Sequence, residues 1–114
     1  MRQGVFTMSG FSKREDAFEN KFAFDAEKRF KAEARRNKML AHWVGELAKM
    51  TPQQIDEYAA ELIQHDLKKP GDDDVLQKLA ADLKARGVTI SHEIIRVEMM
   101  RCIQVASEQT ANEG

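Results

Sequence analysis

Residues 12–49, SKREDAFENKFAFDAEKRFKAEARRNKMLAHWVGELAK, contain no proline and one glycine, Gly45. Between Lys13 and Lys38, fifteen of twenty-six residues are charged, nine basic and six acidic, with the signs interleaved. Ala, Glu, Lys, Arg and Phe fill most positions, so propensity alone favours helix. Opposite charges recur four residues apart, as in Asp25 with Arg29 and Glu27 with Lys31. Such pairs add about 0.2–0.5 kcal/mol each to an exposed helix. At 100° per residue, Phe11, Phe18, Phe22, Leu40, Trp43 and Leu47 project on one narrow face, while Phe24 and Phe30 point elsewhere.

Length decides what that helix must do. Thirty-eight residues make a rod of about 57 Å, whereas a compact chain near this size has a radius of gyration of about 13 Å. The rest of the chain covers only part of such a rod. The expectation is therefore an all-α protein: a small four-helix bundle with a long, partly overhanging or mobile N-terminal helix. Residues 1–22 form a mobile segment and residues 23–111 the folded domain.

The downstream punctuation supports three shorter helices. Thr51-Pro52-Gln53-Gln54 has the spacing of a capping box with proline at the first helical position. The helix it starts runs to about Asp66, with Ile55, Tyr58, Ala59, Leu62 and Ile63 on one face. Pro70-Gly71 turns the chain. Asp72, Asp73 and Asp74 then read as an N-cap for a third helix from about Asp74 to Arg86, burying Leu76, Leu79, Ala80 and Leu83. Gly87 stands where a left-handed C-cap belongs. Val88-Thr89-Ile90 is a linker, and Ser91 caps a fourth helix with a stripe of Ile94, Ile95, Met99, Cys102, Ile103 and Ala106, fraying from about Thr110. Residues 1–10 read as disordered, with Met8 as a second candidate start.

Bulk properties narrow the function. With 114 residues, 42% apolar and 32% charged, the chain is a single ordinary globular domain of net charge −1. That balance hides an asymmetry: residues 1–49 carry eleven basic and seven acidic side chains, residues 50–114 seven and twelve. A cationic arm on an anionic body suits an acidic partner, although a solvated face is the commoner meaning of such charge. No apolar run approaches the length of a membrane span, and residues 1–10 lack a secretory core. The lone Cys102 fits a reducing compartment. A cytoplasmic protein is expected.

Enzymatic chemistry is hard to find. His42, His65 and His92 are scattered singly, without the spacing of a metal site. The acidic run lacks the alternating oxygens, central glycine and final glutamate of a calcium loop. Cys102 on an apolar stripe reads as a small core residue. No phosphate loop, nucleophile triad or carboxylate pair is present, so no catalytic residue and no cofactor is assigned. Arg35-Arg36-Asn37-Lys38 is the densest basic cluster. Its bland reading is a solvated helix face; its sharper one is a nucleic-acid-associated or adaptor protein. Trp43, with Leu40 and Leu47, reads as the core anchor of the long helix. Phe11, Phe18, Phe22, Phe24 and Phe30 exceed what a small bundle can bury, and apolar anchors rimmed by charge suit a partner's groove.

These residues also carry a resemblance. Arg14-Glu15-x-Ala17-Phe18-Glu19-x-Lys21-Phe22-Ala23-x-Asp25, continuing through Phe30-Lys31-Ala32-Glu33-Ala34-Arg35-Arg36-Asn37-Lys38 to Trp43, resembles the signature of the zeta subunits, natural inhibitors of the rotary ATP synthase of α-proteobacteria. It covers the chain from about Met8. The resemblance implies a non-catalytic four-helix protein that blocks ATP hydrolysis more than synthesis. Its N-terminal segment would fold on entering an α/β catalytic interface of the head, near the central rotor. The matching positions are Phe11, Arg14, Glu15, Phe18, Glu19, Lys21 and Phe22. The implied partners are the α, β and rotor subunits, with no nucleic acid and no membrane insertion; the protein would be peripheral to the inner membrane when bound. The resemblance also allows weak nucleotide binding by the bundle, for which the sequence marks no pocket. Two departures stand out. Met1 to Thr7 precede the family's usual start, and Phe24 replaces a histidine expected in many relatives, removing any pH dependence from that side chain.

Overall fold

The structure, a computed structural model, describes the backbone of residues 11–113 and the side chains of residues 26–113. Four helices follow one another: α1 Phe11–Ala48, α2 Pro52–Lys68, α3 Asp72–Ala85 and α4 His92–Asn112. No strand occurs among the described residues, so the protein is all-α. The chain divides into two units, Met1–Phe30 and Lys31–Gly114. The expected disorder of residues 1–10, and the overhang or mobility of the first half of α1, concern residues outside those fully described.

Local chemistry sets the helix ends. α1 closes on Lys49, which adopts φ 57, and the Met50 N–H donates to the Gly45 carbonyl at 2.9 Å. That is the six-residue closure of a Schellman turn, with lysine where glycine is usual. α2 opens with the full capping box: Gln54 N–H donates to Thr51 Oγ1 at 3.2 Å, and Thr51 N–H donates to Gln54 Oε1 at 2.9 Å. α3 ends with Gly87 at φ 84, where Gly87 N–H meets the Lys84 carbonyl and Val88 N–H the Leu83 carbonyl. Ser91 Oγ accepts from Ile94 N–H to open α4.

Two boundaries differ from expectation. α3 begins at Asp72, and its cap residue is Gly71, with no side-chain cap bond. The three aspartates therefore lie inside the first turn, where they favour the dipole and reach other helices. α4 does not fray at Thr110: that residue is buried, its Oγ1 donating to the Ala106 carbonyl at 2.8 Å. Beyond it, Glu113 meets Arg35 at 2.6 Å.

The core lies in the second unit. Leu40 and Val44 of α1, Leu62 of α2, Val75, Leu76, Leu79 and Leu83 of α3, and Ile95 and Cys102 of α4 are fully enclosed. Each large aliphatic side chain removed from water there contributes about 1.5–3 kcal/mol. The buried face of α1 is Ala32, Arg36, Asn37, Leu40, Ala41, Val44 and Gly45, which is rotated from the predicted one. Leu47 is 37% exposed, and Trp43 packs partly buried at the edge of the core. Gly45 explains the rotation: a Cβ there would run into Ile55 of α2, so a small residue must face the crossing. On α4, Ile94 is 55% exposed and leaves the predicted stripe; Ile103 is half-buried.

Candidate partner-binding helix

The seven expected binding residues, Phe11, Arg14, Glu15, Phe18, Glu19, Lys21 and Phe22, all lie on α1, which starts at Phe11. Their side chains, and that of Phe24, lie outside the described residues. Of the five phenylalanines from Phe11 to Phe30, Phe30 alone has a described side chain, and it is 52% exposed. An aromatic ring left half in water on a charged helix is apolar surface available to a partner.

The basic stretch behind it has a different role from the one expected. Arg36 is not part of a solvated face but is 3% exposed, and Asn37 is 1% exposed. The Arg36 guanidinium donates to Asp72 Oδ1 at 2.8 Å and to Asp66 Oδ2 at 3.2 Å. Asn37 Nδ2 donates to the same Asp66 oxygen at 3.2 Å, and Arg36 Nε donates to Asn37 Oδ1. Arg35 pairs with Glu113. Within the cluster only Lys38 is exposed. Arg35 and Arg36 are thus paired with acids of the rest of the bundle. Arg35–Lys38 presents no continuous basic stripe for a phosphate backbone.

The remaining chemistry is structural. Cys102 is enclosed, and burial, with the Glu98 charge beside it, pushes its thiol up to about 11. It is therefore a protonated core residue at neutral pH rather than a nucleophile. Hydrogen bonds from Arg101 hold the Glu98 carboxyl below the usual carboxylate range. Tyr58 donates to Asp82 at 2.7 Å, and burial, then that bond, raises its pKa. His42 and His92 are exposed; His65 Nε2 is buried without a hydrogen-bond partner. Among the described residues no group of three potential metal ligands converges, and no helix is long and apolar enough to cross a membrane.

One feature was missed from the sequence. A cleft of about 260 Å³ opens between α1 and α4, lined by Met39, His42, Trp43 and Glu46 on one side and Glu98 and Arg101 on the other. The three-, four- and seven-residue spacings of the α1 set would have placed those four on one edge. What the sequence could not supply was the facing pair from α4. The cleft is aromatic and charged rather than enclosed, and its Glu98 carboxylate is already committed to Arg101.

Comparison with known proteins adds the family. The model for ATPase inhibitor subunit zeta matches residues 8–109, opening at Met8 as the resemblance implied. Among curated proteins none matches the chain. The family match spans far more than half of the sequence and includes both the α1 signature and the bundle. The chain belongs to the ATPase inhibitor subunit zeta family.

Proposed function

We propose that this protein restrains ATP hydrolysis by the rotary ATP synthase, using residues 1–22 as the inhibitory segment and the rest of the chain as its folded carrier. Phe11, Phe18 and Phe22 supply apolar anchors at an α/β catalytic interface of the head. Arg14, Glu15, Glu19 and Lys21 form the charged rim that meets the α, β and rotor subunits. Rotation in the synthesis direction would expel the segment and rotation in the hydrolysis direction would tighten it. The protein acts as a cytoplasmic regulator, at the inner membrane only through the synthase.

Family membership supports the inhibitor reading, and the observation that carries the use of α1 is Phe30, half exposed on the same helix as the other four phenylalanines. Phe30 offers apolar contact area of the kind a partner-binding helix uses. The test is deletion of residues 1–22 followed by ATPase titration of the cognate head. Hydrolysis should escape inhibition while the helical signal of the bundle persists. Undiminished inhibition by the truncated chain would remove the segment from the mechanism.

A further inference from the structure

α1 is held to the bundle in two chemically different ways along its length. From Leu40 onward the contact is apolar: Leu40, Ala41 and Val44 are fully enclosed, and the short connection Lys49–Thr51 ties that end to α2. From Lys31 to Lys38 the side chains classed as buried are Ala32, Arg36 and Asn37. No large aliphatic residue is enclosed in those two turns. What joins them to α2 and α3 is the cluster of hydrogen bonds from Arg36 and Asn37 to Asp66 and Asp72.

The position of the two acids matters. Asp66 is in the last turn of α2, and Asp72 is the first residue of α3. The guanidinium therefore spans the Lys69-Pro70-Gly71 corner and fastens α1 to both helices at once. An apolar residue at position 36 would pack without preference for direction. A cation with two partners is satisfied only in one orientation, which is the best-attested use of buried polar groups. Asp66 is nearly enclosed, at 12% exposure, whereas Asp72 is 75% exposed. One arm of the clasp is thus sealed and the other is wet.

We propose that Arg36 and Asn37 form a polar clasp that is separable from the apolar core, holds residues 31–38 of α1 in one orientation against α2 and α3, and is needed for inhibition, an inference that rests on the inhibitor reading above. The clasp holds residues 31–38 in one orientation against α2 and α3. Opening it frees those turns while the core from Leu40 onward stays intact. Arg36 and Asn37 touch no partner in this scheme; they are positioning residues.

Amide hydrogen exchange on the full wild-type chain provides the first test, without any ATPase present. Residues 31–38 should exchange through a separate opening at least ten times more frequent than that of residues 40–48. Exchange of both ranges together, by one global event, would overturn the proposal. The second test is the charge-balanced double variant Arg36→Met/Asp66→Asn. Its thermal midpoint should stay within a few degrees of wild type, with protection of residues 31–38 lost and inhibitory potency reduced at least tenfold. A merely structural role would lower midpoint and potency together, and that result, like undiminished potency in a variant with released turns, refutes positioning. Wild-type inhibition measured alongside reports separately on the inhibitor reading itself.

Discussion

Replacing Gly45 with alanine should destabilise the bundle even though it improves the helix. Gly45 lies inside α1, so alanine gains about 1 kcal/mol of intrinsic propensity. Against that, a Cβ at position 45 falls well within contact distance of Ile55 Cγ1 and Cδ1. Ile55 cannot readily swing away: a β-branched side chain in a helix keeps one preferred χ1, and its turn is fixed by the Thr51 capping box. Overpacking of this kind costs about 1–3 kcal/mol, so the net loss is up to about 2 kcal/mol. For a domain near 100 residues, each kcal/mol moves the midpoint by about 4–8 °C.

The decisive version of the experiment changes Ile55 as well. In an Ile55→Ala background the remaining atom, the Cβ of residue 55, is 3.6 Å from the new Cβ, which is ordinary contact. There the propensity gain is unopposed, and Gly45→Ala should stabilise by about 1 kcal/mol. Urea unfolding followed through Trp43, the one tryptophan of the chain, yields all four corners of the double-mutant cycle. The sign of the Gly45→Ala effect should reverse between backgrounds. Stabilisation in both would mean that the helices separate freely and that close approach at Gly45 is not what orients α1.

Two other predictions concern single groups. Lys49→Gly should raise stability by about 0.5–1 kcal/mol, because the left-handed backbone at φ 57 strains a residue with a Cβ; an unchanged urea midpoint would refute that strain. Tyr58 is the only tyrosine, so phenolate absorbance reads it alone. Its raised pKa, caused first by burial and then by Asp82, means that its stabilising effect is complete below the ordinary phenol value, near 10, and is lost as pH climbs toward the raised one. Lys78 shifts the same way: burial opposes its charge, but bonds to Glu61 and Asp82 outweigh it. Phenolate should appear only together with loss of helical signal, and titration near pH 10 with the helices intact would contradict the burial argument.

The number of helices and most of their ends were legible because caps are local chemistry. Thr51, Pro52 and Gln54, the Pro70-Gly71 corner, Gly87 and Ser91 each act on backbone groups within a few residues. The starting point of α3 was misplaced because Asp72–Asp74 have a second use: Asp72 and Asp73 reach Arg36 and Arg96 on other helices. The family signature was legible in the aromatics and charges of α1, and the family model matches over residues 8–109. The cleft beside Trp43 was not legible, since Glu98 and Arg101, which face the α1 residues, come from α4.

From the sequence alone came the all-α class, the order of the helices, and the family, since each depends on neighbours along the chain. Only the tertiary structure decided which side of α1 is covered, that Arg36 is enclosed rather than solvated, and that Ile94 faces outward. A helix is amphipathic by its own pattern, but the face it buries is selected by what crosses it. Here Ile55 demands a glycine, and two acids, thirty and thirty-six residues beyond Arg36, demand a cation.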